Sequence, residues 1–146
     1  MTRAALVEAF AGFPARLAFA AEAAEPRPTP AGEWRPNEVV RHLIAVESAV
    51  WTARLAQLAR FDDPQWPWTE PGLAERFEDE PLAAVLLAFS AARAATVATI
   101  AALDDEGWGR SGTHATYGRL DVAGLLRIAT EHDESHLEGL AERSVA

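Results

Sequence analysis

The sequence contains no cysteine among its 146 residues, and this absence excludes several chemistries at once. Without cysteine the chain has no disulfide framework, no thiolate nucleophile and no cysteine-based zinc site. Any metal ion must therefore be bound by nitrogen or oxygen ligands. Basic residues are also few, since 13 Lys and Arg stand against 22 Asp and Glu and the net charge is −9. An acidic surface repels phosphate backbones and no helix carries a basic stripe, so no nucleic-acid partner is expected.

Long, uninterrupted apolar stretches are also missing from the chain. Charged residues at Glu8, Arg16 and Glu22 interrupt the alanine-rich N-terminal segment at intervals too short for the apolar core of a signal peptide. We expect no stretch to reach the length of a membrane span, and we predict a cytoplasmic protein with no membrane partner. A length of 146 residues predicts a single domain (1–146), and 49% apolar with 24% charged residues is typical of a soluble globular chain.

Apolar residues recur with helical spacing in four long segments, which proline and glycine separate. The predicted helices run from about Thr2 to Ala24, Pro36 to Arg60, Glu80 to Leu103, and from the cap Asp121 to Arg143. Pro14 should kink the first helix or mark a restart. Asp121 is a good N-cap for the last helix. Long helices with few strand signals predict an all-α protein, a four-helix bundle.

Two segments between the helices are predicted to be irregular. The segment 61–70 contains Trp66 and Trp68, and its aromatic content suggests that it folds back over an opening. The segment 104–120 contains His114 and Tyr117, which could reach the open face of a site on the last helix. Packing within the loop is the role that we favour for these two residues.

Histidines on two helices suggest a metal site. His132 and His136 are four residues apart in the last helix, so both side chains project from one side of it. His42 lies on the edge of the apolar arc of the second helix. Two packed helices can bring three imidazoles to one ion, and three protein ligands are typical of a catalytic zinc site. On spacing alone, core histidines without a metal are an equally good interpretation.

Three charged residues are predicted to point inward. Asp133 adjoins the histidines, Glu47 lies in the apolar arc of the second helix, and Arg93 lies on the apolar stripe of the third. A buried, unpaired charge costs several kcal/mol, so these groups should pair. We predict a buried ion pair between Arg93 and Glu47 or Asp133. It could orient a ligand histidine, or it could only fix the register of the helices. Trp34, before the second helix, is expected to anchor the core.

Several motifs together resemble one family. The string from Trp34 through His42 to Glu47 resembles the second-helix signature of DinB/YfiT-like proteins, and Glu131-His132-Asp133-Glu-Ser-His136 is similar to their closing HDxxH helix. The segments 93–108 and 112–118 look like the third helix and the following loop. The resemblance covers most of the chain, from Trp34 to Leu140.

The resemblance implies an up-down-down-up bundle whose long crossover joins the second and third helices. It also implies one divalent metal ion, zinc or nickel, held by His42, His132 and His136, and it implies a homodimer in many members. Some relatives are metal-dependent S-transferases of low-molecular-weight thiols such as bacillithiol or mycothiol, one branch isomerises maleylpyruvate, and others are described as hydrolases. Arg35, Ala115 and Gly139 depart from the common pattern, so the substrate of no single branch transfers to this chain.

These observations predict a metal-dependent enzyme that acts on a small molecule, as a thiol S-transferase or a hydrolase. The ion would lower the pKa of a thiol or a water. Asp133 and Glu47 are the candidate catalytic residues, either supporting the ligands or handling protons. The alternative is a non-catalytic stress protein that binds a metal or a ligand, for which we expect a closed site or no pocket. A bundle with core histidines and no metal is the third interpretation.

Overall fold

The structure, a computed structural model, describes residues 1–144 and contains the four predicted long helices. The second of them is one rod of three parts, in which a π-helix joins two α-helices. The bounds of the helices are α1 Arg3–Ala24, α2 Pro36–Val46, the π-helix Glu47–Thr52, α3 Ala53–Arg60, α4 Leu82–Ala101, the short α5 Asp105–Gly109, and α6 Val122–Ser144. A 3-10 turn, Glu75–Phe77, lies in the connection before α4.

Side-chain caps fix where two of these helices begin. The Thr2 hydroxyl accepts a hydrogen bond from the Ala5 amide at 3.1 Å, and the Asp121 carboxylate accepts one from the Gly124 amide at 2.8 Å. Both bonds satisfy amides that have no partner within a helix, so the prediction for Asp121 is confirmed. Pro14 does not restart the first helix, because α1 continues through it to Ala24. Buried residues on both sides of Pro14 hold the segment helical, which shows tertiary packing overriding a poor local propensity.

The π-helix changes which residues of the second rod share a face. Nine residues turn a regular α-helix by about 900°, so His42 and Trp51 would lie on opposite sides of an unbroken one. A π-helix bonds each residue to the fifth along and turns less per residue. His42 and Trp51 accordingly line the same cavity. The uninterrupted helix that the sequence predicts from Pro36 to Arg60 is therefore wrong in its middle.

The two segments predicted to be loops form a small sheet. The strands are β1 Gln65–Trp66, β2 Ser111–His114 and β3 Gly118–Asp121; β1 pairs with β2 in parallel, and β2 with β3 antiparallel. A Cβ at Gly112 would lie 2.6 Å from the Trp66 ring, so glycine lets the first strand approach closely. Trp66 pairs with His114, which fixes the segment 61–70 over the cavity. The prediction of irregular loops is wrong here: β2 and β3 form a short hairpin, and the two-residue β1 forms only because it pairs with the distant β2.

The core consists of two apolar clusters stacked along the bundle, and they give the direction of each helix. The first contains Leu6 and Phe10 of α1, Leu55 and Leu58 of α3, Ile100 of α4, and Val122, Leu125, Leu126 and Ala129 of α6. The second contains Phe13 to Ala24 of α1, Val39 to Ile44 of α2, Leu82 to Phe89 of α4, and Leu140 of α6. The first and last long helices thus run from the first cluster to the second, and the two middle ones run back. This is the predicted up-down-down-up bundle.

Two helices have the length and composition of a membrane span, which corrects the expectation that no stretch would. They are α1, with a mean hydropathy of 1.4, and α4, with 1.7. Alanine raises both values, and both helices supply residues to the two core clusters. A core helix passes the same test as a span, so the finding is weak evidence for a membrane. The cytoplasmic location stays a prediction.

Candidate metal centre

Three histidines from two helices meet at one point. His42 projects from α2, and His132 and His136 project from successive turns of α6. One candidate ligand atom from each ring lies within 4.8 Å of the other two. The ring centroids are 5.5 Å apart for His42 and His132, 5.0 Å for His42 and His136, and 4.7 Å for the pair on α6. The tertiary structure therefore brings together the three histidines that the sequence singled out.

The hydrogen bonds of these rings fit a metal ion. Nδ1 of His42 lies 3.2 Å from the carbonyl oxygen of Gly72, which can only accept, so this nitrogen carries the proton and leaves Nε2 free as a ligand. Nδ1 of His132 is buried and has no hydrogen-bond partner within residues 1–144. A buried polar atom without a partner costs free energy, which a bound ion or water would offset. Three neutral imidazoles are a donor set that zinc and nickel both accept.

Burial keeps two of the rings neutral. Burial, together with the neighbouring His42 and Arg93, lowers the pKa of His132 to about 4. Burial and the two other histidines lower the pKa of His136 to about 4 as well. Both imidazoles are therefore unprotonated at neutral pH, as metal ligands must be.

These pKa values predict how zinc binding depends on pH. Protons compete with a metal for ring nitrogens only near and below their pKa, so the steep loss of affinity that His132 and His136 cause should begin below about pH 5. Exposed histidines, with an ordinary pKa of about 6.5, would release zinc at higher pH. Competition titrations with a zinc-binding dye from pH 7.5 to 4.5 would measure the change. A steep loss that begins near pH 6.5 would contradict the prediction.

A buried ion-pair network lies beside the histidines. The Arg93 guanidinium donates to Glu47 at 2.9 and 3.1 Å, to Asp133 at 3.0 and 3.2 Å, and to the Phe10 carbonyl oxygen at 3.0 Å. The Arg93 and Glu47 side chains are 1% exposed, and that of Asp133 is 3% exposed. Arg93 also stacks on the Phe10 ring at 3.6 Å. The predicted ion pair is confirmed, and it involves both carboxylates.

The network sets the charge behind the three histidines. One guanidinium faces two carboxylates, so one negative charge is left in excess in a buried place. Burial raises the pKa of Asp133 to about 6, although Arg93 lowers it. The two carboxylates raise the pKa of Arg93 against the effect of burial. Neither Asp133 nor Glu47 lines the cavity described below, and their hydrogen bonds go to Arg93.

A cavity of about 690 Å³ opens on the three histidines. This volume suits a small organic molecule. Aromatic residues from both inter-helix segments form much of its wall, and the lining includes Trp34, Trp51, Arg54, Trp68, His114 and Tyr117. Trp34 is 37% exposed and its ring centroid lies 4.7 Å from that of His42, so the prediction that it anchors the core is wrong. It borders the three-histidine cluster instead.

Two further polar side chains on the cavity wall, His114 and Arg54, could be placed there only from the structure. Nδ1 of His114 accepts the backbone amides of Thr116 at 2.9 Å and Tyr117 at 3.2 Å, so the proton of the neutral ring is on Nε2. Burial and Arg54 lower the pKa of His114. The loop position of His114 before the last helix predicted that it could lie near the site, whereas no pattern in the sequence indicated Arg54. The signal that could have indicated Arg54 is a basic residue in the second rod, which packs against a tryptophan-rich segment.

A family model matches nearly the whole chain, since that of the DinB superfamily covers residues 1–140. The chain belongs to the DinB superfamily. This confirms the resemblance read from the second helix and the HDxxH helix. No curated protein matches the chain in sequence.

Among solved structures, this DinB-superfamily chain is similar to YfiT from Bacillus subtilis, described as a probable metal-dependent hydrolase with an unusual four-helix bundle topology. The TM-score is 0.76 over 99% of this chain and 88% of YfiT, and 17% of the residues are identical. At that identity the likeness shows the fold alone. It confirms the predicted four-helix bundle.

Proposed function

We propose that this protein is a metal-dependent enzyme that acts on a small molecule, with His42, His132 and His136 as the ligands of one divalent ion. One observation carries the proposal: the three histidines converge within 4.8 Å on the wall of a cavity of about 690 Å³. A closed, purely structural metal site would have no such cavity. This observation also favours an enzyme over the non-catalytic binding protein considered above.

The chain supplies three ligands and leaves room for a fourth. Three protein ligands with one open position are typical of catalytic zinc, whereas structural zinc is closed by four. Such an ion supplies Lewis-acid chemistry and lowers the pKa of a water or a thiol toward neutrality. Hydrolysis and thiol S-transfer both use a nucleophile of this kind. The description of YfiT as a probable metal-dependent hydrolase supports the first.

The remaining residues orient the ligands and shape the cavity. The Gly72 carbonyl fixes the ring of His42, and the Arg93 network fixes the part of α6 that carries His132. Asp133 and Glu47 therefore serve as positioning residues, because their oxygens bind Arg93 and lie away from the cavity. The aromatic wall excludes water from the bound molecule.

The test compares metal-loaded with metal-free protein on two reactions. One is the release of 4-nitrophenol from 4-nitrophenyl acetate, and the other is the conjugation of 2-mercaptoethanol to 1-chloro-2,4-dinitrobenzene. We expect zinc- or nickel-loaded protein to accelerate at least one of them, and His136→Ala to accelerate neither. Equal rates with and without metal, on both reactions, would contradict the proposed function.

A further inference from the structure

Arg54 is a buried cation without an anionic partner in the described part of the chain. It is 7% exposed, and within residues 1–144 its one hydrogen bond goes from Nη2 to the carbonyl oxygen of Pro67 at 3.3 Å. No carboxylate forms an ion pair with it among the residues that the structure describes. Buried charges in proteins are normally paired, because desolvation without a partner costs several kcal/mol. Arg93, by contrast, is 1% exposed and binds two carboxylates.

The unpaired guanidinium lies on the wall of the cavity that holds the three histidines. Two indole rings flank it, with Cζ 5.9 Å from the Trp51 centroid and 5.4 Å from that of Trp66. The Trp51 ring is also 6.3 Å from that of His132, so one small molecule can reach from the histidines to Arg54. Only one of its five N–H donors has a partner given by the structure, which leaves others for a ligand.

A second donor lies on the same wall. The Nε2–H of His114 has no acceptor within residues 1–144, because the two bonds of that ring both go to Nδ1. The acidic residues that line the cavity, Glu70 and Glu131, are exposed, and neither pairs with Arg54. Among the described residues that line the cavity, Arg54 is therefore the one buried charged side chain, in a chain whose net charge is −9. A buried cation on a cavity wall favours an anionic group in the molecule that the cavity binds.

We propose that Arg54 binds a carboxylate of the substrate, with His114 as an additional hydrogen-bond donor, while the reacting part of the molecule faces the three histidines. The planar fork of a guanidinium matches the two oxygens of a carboxylate. This inference deepens the proposed function, on which it rests, by naming the substrate class: small carboxylic acids.

Benzoate and its neutral isostere benzamide test the proposal. Titration into zinc-loaded protein, followed by tryptophan fluorescence, reports on the indoles beside Arg54. We expect benzoate to bind about tenfold more tightly than benzamide, a difference of about 1.4 kcal/mol. Arg54→Met should make the two affinities equal, and Arg54→Lys should keep part of the preference. Arg60→Met is the matched control, because Arg60 is an exposed arginine at the end of the same helix.

The same titration on His132→Ala protein separates this inference from the proposed function. If Arg54 binds the carboxylate, the preference for benzoate survives in a variant that has lost a metal ligand. A preference that disappears in this variant but persists in Arg54→Met would assign the carboxylate to the ion and overturn the inference. Equal or undetectable binding of the two probes to the wild type would overturn it without any variant. If only the metal-dependent reactions fail, the proposed function is contradicted, but carboxylate binding by Arg54 is not.

Discussion

Replacing His132 with alanine is expected to remove nearly all the metal from a chain that otherwise binds about one ion. Two ligands on different helices hold a divalent ion far more weakly than three, since even an outer hydrogen-bond partner changes affinity by about 10–100-fold. Loss of the ion should also remove its contribution to stability, about 3–4 kcal/mol when the metal is at 100 to 1,000 times its dissociation constant. Elemental analysis of untagged protein measures the first effect, and thermal unfolding with and without zinc measures the second.

His114→Ala is the matched control for that experiment. His114 is a buried histidine on the wall of the same cavity, but it is not part of the three-histidine cluster. The variant should keep the metal content of the wild type. Wild-type protein that stays empty after incubation with zinc and with nickel would contradict the metal site. It would leave a helical bundle in which the histidines serve the core.

Arg93→Met is expected to destabilise the fold by about 3–5 kcal/mol, because it leaves two carboxylates buried without a cation. It also removes the hydrogen bond to Phe10 that ties α4 to α1, and the stacking on the Phe10 ring. For a chain of this length the melting temperature should fall by roughly 6–20 °C. Urea denaturation with linear extrapolation gives the free energy of unfolding.

A surface ion pair offers the control for Arg93. Arg16 pairs with Glu134, and their side chains are 54% and 35% exposed. Arg16→Met should therefore change stability by at most about 1 kcal/mol. Adding Glu47→Gln and Asp133→Asn to Arg93→Met should recover part of the loss, since neutral amides cost less to bury than carboxylates. If Arg93→Met is no more destabilising than Arg16→Met, the network does not hold the helices together.

Much of the three-histidine cluster and its surroundings could be predicted because helical periodicity is a local property. The spacing of His132 and His136 places both on one side of α6 whatever the helix packs against. The same reasoning found Arg93, Glu47 and Asp133, since charged residues on apolar stripes must meet partners in the core. Helical periodicity could not show that one arginine would bind both carboxylates. That result depends on the relative axial positions of the three packed helices.

The rest of the site depends on contacts between distant parts of the chain. Strand β1 exists because β2 lies beside it, so no two-residue pattern could have indicated it. Arg54 is buried only because the segment with Trp66 and Pro67 folds against the second rod. Trp34 was misjudged for a related reason, since an aromatic residue at a helix start can pack on the core or border a cavity.

The sequence by itself determined the long helices of this protein, the face on which its histidines lie, and the superfamily to which it belongs. These features could be predicted because hydrophobic periodicity and the order of motifs are properties of the sequence alone. Only the tertiary structure decided that the histidines converge, that the second rod contains a π-helix, and that Arg54 faces the cavity without a carboxylate. These features depend on how far one element is shifted or rotated against another. Packing energies between distant residues set those shifts, and they cannot be inferred from the spacing of residues along the chain.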